Sequence, residues 1–134
     1  MRNIGRLELA SIPILNITDT IAKIDTGAYG CSIHADNIIK NIDVVSFVIN
    51  DTCFTLPIVR EKQVKNSNGV ELRYFVELEI TLANVTRKTL FSLSHRSHLK
   101  RNILIGRKFL KNGFIVDVSK TFVWSNENEG TCKP

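Results

Sequence analysis

Leu72-Arg73-Tyr74-Phe75-Val76-Glu77-Leu78-Glu79-Ile80 places apolar side chains at every second position, with charged residues at most of the positions between. That is the period of a half-buried strand and not the 3.6-residue period of a helix. Just before it stands Asn68-Gly69, the pair favoured where both central residues of a hairpin turn need positive φ. A polar hairpin from about Arg60 to Leu72, tipped by Asn68-Gly69, therefore leads into this strand. The same period recurs at Ile4 to Leu9, Thr20 to Ile24, Val44 to Ile49, Lys88 to Leu93, Asn102 to Ile105, Phe114 to Val118 and Thr121 to Trp124. These runs are rich in Ile, Val and Phe and are bounded by Asn, Asp, Gly or Ser, as strands are. One short helix is predicted from about Arg107 to Asn112, with Gly113 as its left-handed stop. Another helical turn is expected near Ala35 to Lys40. Many short strands in one small chain predict an all-β domain, closed or sandwiched, over residues 1–134, with 126–134 a frayed tail.

The 134 residues suffice for one hydrophobic core but not for two lobes. Hydrophobic residues make up 43% and charged residues 23%, which excludes a disordered chain. No apolar run approaches a spanning helix, so no membrane partner is expected. The N-terminal apolar stretch is broken by Arg6 and Glu8 and lacks a signal-peptide core. Cys31, Cys53 and Cys132 are odd in number and widely spaced, so no disulfide framework is expected and a cytoplasmic location is the default. Lys plus Arg exceeds Asp plus Glu by 18 to 13, for a net charge of +5, concentrated at Arg60 to Lys65 and Arg96 to Lys111. Such a surface suits acidic peptides. Aromatic residues do not interleave with the charges as base stacking requires, so nucleic acid is not an expected partner.

One segment carries chemistry: Ile21-Ala22-Lys23-Ile24-Asp25-Thr26-Gly27-Ala28, an acid set directly after an apolar strand and followed by a tight turn. Further along, Asn102-Ile103-Leu104-Ile105-Gly106-Arg107 is a second apolar strand that runs into the predicted helix through Phe109 and Leu110. Together these resemble the signature of the retropepsin-like aspartic proteases. The resemblance is nearest to the bacterial branch labelled RimK-associated or "ATP-dependent zinc protease". It extends to Ile4-Gly5-Arg6, Ser32-Ile33-His34-Ala35, Lys65-Asn66-Ser67-Asn68-Gly69 and Phe114-Ile115-Val116-Asp117, and so covers about residues 4–124. Tyr29-Gly30 stands where viral members carry acids.

The resemblance implies a single-lobe, closed acid-protease β barrel with one short C-terminal helix. It implies that Asp25 is catalytic, that Thr26 links two catalytic loops across a dimer axis, and that Gly27 contacts the substrate backbone. Gly106 and Arg107 are implied to support the loop, with His34 in a structural or substrate-contacting role. Substrate contacts are expected at Ala28 and at Lys65, Asn68 and Gly69 of a candidate flap, with the turn at Asn50-Asp51 a second candidate. Aspartic peptidases need two carboxylates that share a proton. This chain has one Asp-Thr-Gly, and Asp43, Asp51 and Asp117 lack the turn. The expected working unit is therefore a homodimer acting on a peptide or protein, with no cofactor. No His-Glu-x-x-His or Cys-x-x-Cys pattern is present, so no metal is expected. Cys31 reads as a small buried residue. The rival readings are a catalytically silent peptide-binding module and a zinc-dependent hydrolase using His34, His95 or His98.

Overall fold

Left-handed turn residues decide how the strands meet. Asn50 and Asp51 have φ of 50° and 64°, and Ala83 and Asn84 have φ of 52° and 62°. Each pair lies between partners in register, Ile49 with Thr52 and Leu82 with Val85. These are two-residue hairpins whose backbone matches the strand twist. The hairpin predicted at Asn68-Gly69 forms one residue earlier: Asn66 pairs with Gly69, Ser67 and Asn68 make the turn, and the positive φ of 121° falls on Gly69.

The computed structural model describes residues 1–95 and 100–125. Its first half contains β1 (Arg2–Gly5), β2 (Leu7–Ile12), β3 (Ile17–Ile24), β4 (Cys31–His34), β5 (Asp36–Asn41) and β6 (Val44–Ile49). The second half contains β7 (Thr52–Pro57), β8 (Arg60–Asn66), β9 (Gly69–Leu82), β10 (Val85–Ser94), β11 (Ile103–Ile105), α1 (Arg107–Leu110) and β12 (Phe114–Asp117). The chain is all-β, as predicted. The largest sheet has the order β10-β4-β11-β3-β2-β9-β8, and β9 also pairs with β10, so six strands form a ring of pairings with β8 outside it. Strands β5, β6 and β7 make a separate antiparallel sheet, and β1 and β12 pair in parallel. Inside the ring lie Ile33, Val76, Leu78, Ile80, Phe91 and Ile105, all at 1% exposure or less. The alternation that begins at Leu72 is the origin of three of them. No helix among the described residues is long and apolar enough to cross a membrane.

Several expectations change. Residues 35–40 are not helical: Asp36–Asn41 is β5, paired with β6 through a register shift between Asp36 and Ile39, where Asn37 has φ of 50°. That bulge breaks the two-residue period and hid the strand. The run Ile4 to Leu9 is two strands. At the break, the Arg6 N–H donates to the Lys120 carbonyl at 2.7 Å and the Arg6 carbonyl accepts from the Ile24 N–H at 2.8 Å. Helix α1 ends at Leu110, two residues early, and the left-handed residue is Asn112 (φ 62°), not Gly113. Gly113 has a different duty: a Cβ there would lie 2.7 Å from an Arg87 guanidinium nitrogen. Arg87 Nη1 donates to the Phe109 and Lys111 carbonyls at 2.6 and 3.0 Å, so it caps the end of the helix.

Thr121 to Trp124 is not a strand. Phe122 has φ of 53°, and residues 123–125 turn helical up to the limit of the described segment. The cause is Glu8, a carboxylate only 1% exposed inside the fold. Its Oε2 accepts from the N–H groups of Gly5, Val123 and Trp124 at 2.8, 2.8 and 3.2 Å. Its Oε1 accepts from the Ser125 N–H and hydroxyl at 3.1 and 2.8 Å. An anion receiving the first N–H groups of a helical turn is favourable, and here it offsets the cost of burying the charge.

Candidate active site

Asp25 stands at the first position beyond β3, where pairing with β11 has just ended. Strands β3 and β11 are parallel, with Ala22, Lys23 and Ile24 opposite Ile103, Leu104 and Ile105. The Asp25 N–H continues that ladder by donating to the Ile105 carbonyl at 2.9 Å. The chain then turns back: the Ala28 N–H donates to the Asp25 carbonyl at 3.2 Å, and the Gly27 N–H donates to Asp25 Oδ1 at 3.1 Å. The acid is thus half-buried and oriented by its own loop, while Thr26, Gly27 and Tyr29 are exposed.

The segment after β11 clamps this loop from inside. The N–H groups of Arg107 and Lys108 donate to the Ala28 and Tyr29 carbonyls at 2.9 and 2.8 Å. Arg107 Nη1 donates to the Thr26 carbonyl at 3.0 Å, and its guanidinium lies 5.9 Å from the Tyr29 ring centre. Gly106 makes the close approach possible, since a Cβ there would lie 2.2 Å from the Gly30 carbonyl oxygen and 2.9 Å from that of Ala28. The structure therefore brings Asp25, Thr26, Gly27, Ala28, Gly106 and Arg107 together. The contact of Arg107 is with a backbone carbonyl of the loop.

The other expected site residues lie elsewhere. Lys65, Asn68 and Gly69 sit at the exposed end of the β8–β9 hairpin. His34 ends β4; its N–H donates to the Asn102 carbonyl, and its ring meets Asp36 and His95. His98 lies outside the described residues. Cys31 is buried against the Gly106 segment, and burial raises its thiol above the usual cysteine range. This is an inert environment for a nucleophile.

One cleft borders the loop, and a second lies against β3 just before it. The first, of about 730 Å³, holds Thr26, Tyr29, Arg107, Lys108, Lys111 and Phe114 among its lining. The second, of about 240 Å³, is walled by Arg6, Leu7, Lys23, Lys100 and Arg101. Among the described residues, neither lining contains an acid. Lys23 is two residues before Asp25, in the last paired stretch before the loop. Sequence reading noted the charge of Lys100 and Arg101 but missed their convergence with Arg6 and Lys23. It also missed Glu8. The available signal was parity: Glu8 shares the inward register of Ile4, Ala10 and Ile12.

Residues 3–127 match the family described as RimB-like, "Retropepsin-like aspartic endopeptidase RimB". Two curated proteins named "Probable alpha-L-glutamate ligase" are similar, those of Shewanella halifaxensis (strain HAW-EB4) and Shewanella pealeana (strain ATCC 700345 / ANG-SQ1). They are 29% and 30% identical over 139 and 132 residues, which covers 94% and 89% of this chain. The chain spans only 30% and 29% of the length of those ligases. Among solved structures, the protein Lpg0085 of Legionella pneumophila, of unknown function, is 29% identical with a TM-score of 0.74, covering 92% of this chain and 98% of that one.

Proposed function

This chain belongs to the RimB-like family of retropepsin-like aspartic endopeptidases, and on that footing we propose that two copies form a peptidase that hydrolyses acidic peptides. The observation that carries this reading is the half-site. One carboxylate is held by its own turn and by the Arg107 clamp, on a loop whose outer face is exposed. A second copy related by a two-fold axis supplies the second Asp25, and the two share one proton. The ionised carboxylate takes a proton from water as the water oxygen attacks the scissile carbonyl carbon. The protonated carboxyl gives its proton to the carbonyl oxygen. Collapse of the tetrahedral diol then breaks the C–N bond, and the amine leaves with a proton returned by the dyad.

Gly27 supports this reading. Its φ is not in the left-handed region, and a Cβ there would meet nothing nearer than Asp25 Oδ1 at 3.4 Å. The space over it is therefore free for a substrate backbone or the facing loop. The cleft that includes Thr26 and Tyr29 borders the exposed face of the loop and receives the second copy. The cationic cleft that includes Lys23, two residues before Asp25, receives acidic side chains. The hairpin tipped by Asn68 covers the bound strand, which excludes water. The relatives named "Probable alpha-L-glutamate ligase" support this substrate class, because joining a glutamate to a chain adds a carboxylate.

The test is incubation of the purified chain with glutamate-rich and neutral peptides, read by mass spectrometry, alongside Asp25→Asn. Cleavage abolished by Asp25→Asn with the fold retained is the expected result. Full activity in that variant overturns the role of Asp25, full activity in a strict monomer by sedimentation overturns the two-copy site, and no cleavage of either peptide by the wild-type chain overturns the peptidase reading. Cleavage of neutral peptides alone overturns only the acidic substrate.

A further inference from the structure

At the end of β4 away from the Asp25 loop, three elements deliver metal-binding side chains to one point. His34 is the last residue of β4, Asp36 is the first of β5, and His95 follows β10. Strands β4 and β10 run parallel with Ser94 opposite His34, which brings His95 alongside. Asp36 Oδ1 lies 2.9 Å from His95 Nδ1 and 3.4 Å from His34 Nε2. One ligand atom from each residue falls within 4.8 Å of the other two. The imidazole centres are 5.1 Å apart and inclined at 53°.

We propose that His34, Asp36 and His95 form a binding site for a divalent transition-metal cation. Two donors held at about 2.1 Å from a common ion are about 3.0 Å apart at a right angle and about 3.4 Å apart at the tetrahedral angle. The two separations to Asp36 Oδ1 bracket these values; the two imidazole donors, within 4.8 Å of each other, close to about 3.4 Å when both ligate, a movement that rotation of the exposed His95 side chain supplies. Two imidazoles and one carboxylate suit zinc, cobalt, nickel or ferrous iron better than calcium or magnesium, which prefer oxygen. His34 and Asp36, though not His95, line a cavity of about 360 Å³ together with Asn50, Asp51 and Asn102, so water has room beside the site.

The site is structural. His34 and His95 come from the ring of strands, whereas Asp36 begins the separate β5–β7 sheet. A bound ion thus fastens the two sheets at the point where the chain passes from one to the other. No local spacing announces the site, because the second histidine is contributed from a distant strand. The inference departs from the sequence expectation of no metal and stands apart from the peptidase proposal.

Cobalt(II) is the probe, titrated into the purified metal-free chain, with ligand-field absorption for the coordination and competition by zinc for the affinity. The expected result is one ion per chain in a nitrogen- and oxygen-liganded environment, released by zinc, with an unfolding midpoint that rises with metal. His95→Ala and Asp36→Asn each weaken binding at least tenfold. His95 is largely exposed at 63%, so its removal leaves the fold intact and decides the case even where Asp36→Asn does not fold. No saturable binding by the folded chain, or wild-type affinity in His95→Ala, overturns the proposal and identifies the trio as two imidazoles hydrogen-bonded to one carboxylate. Neither result bears on cleavage at Asp25.

Discussion

Glu8→Gln changes one atom and very little volume, yet it should weaken the fold markedly. The carboxylate accepts from five donors, four of them backbone N–H groups. In the variant, the amide oxygen takes the place of Oε2 and keeps Gly5, Val123 and Trp124. These three bonds lose their charge assistance, about 1 kcal/mol each. The amide NH2 then faces Ser125. The hydroxyl can rotate to accept, but the Ser125 N–H is left without an acceptor, at about 1–3 kcal/mol. Against this gross loss, a neutral side chain avoids the cost of burying a charge, several kcal/mol. The net destabilisation is about 2 kcal/mol, or roughly 6–10 °C in Tm for a chain of this size. Glu8→Ala removes every acceptor and should cost about 4 kcal/mol or more. Urea unfolding followed by tryptophan fluorescence measures both, with Trp124 beside the site. Hydrogen exchange should show the amides of residues 123–125 opening first. A Glu8→Gln variant within about 0.5 kcal/mol of wild type, at unchanged m value, refutes the claim that these bonds hold the C-terminal turn.

Three further outcomes are expected. Arg107→Ala removes the strut to the Thr26 carbonyl; because the guanidinium is exposed, stability should fall by only about 1 kcal/mol while peptide cleavage falls at least tenfold, and Arg107→Lys should not restore cleavage, since an ammonium lacks the planar fork. Gly106→Ala forces a methyl group to 2.2 Å from the Gly30 carbonyl oxygen, so denaturant unfolding should show a loss of about 2–3 kcal/mol. The hydroxyl and N–H of Ser119 hold the Asp117 carboxyl below the usual aspartate range. The folded value is the lower one, so the stabilisation is complete above the ordinary aspartate pKa and is lost as pH falls through the depressed one. An NMR titration of Asp117 should move back toward the ordinary value in Ser119→Ala, and an unmoved titration would count against the assignment.

What could be read from the sequence followed from how the strands are buried. Strands with one face in the core, such as β6 and β9, show the two-residue period and were placed. Strand β4 is buried along most of its length on both faces, so Cys31-Ser32-Ile33-His34 carries no alternation to detect. Strand β7 is largely exposed, and its apolar face is only Phe54 and Leu56, too short a stripe to stand out. The candidate site was legible because its parts are local: the turn Asp25-Thr26-Gly27 and the strand that ends at Gly106-Arg107 each announce themselves. The convergence of Arg6, Lys23, Lys100 and Arg101 is a product of pairing across three segments, as is the meeting of His34 with His95. Neither has a signature in any single stretch. Glu8 was readable in principle, since an acid on the inward register of a strand demands partners.

The glycines of the site separate what the chain needs to fold from what it needs to act. Gly106 is required by the chain itself, because its neighbours leave no room for a methyl group. Gly27 is not required in that way: its backbone is not left-handed, and a Cβ would find only ordinary contact with Asp25 Oδ1. The loop is clamped from within by Arg107 and by the Ile105 carbonyl and is open on its outer face. A substituent at position 27 would fill the volume that the proposed second loop or an extended peptide occupies. Gly27→Ala should therefore leave the unfolding free energy nearly unchanged while reducing cleavage. Gly106→Ala should lower both. If both variants lose stability alike, the outer face of the loop is serving the fold, and the case for a facing partner at Asp25 is lost.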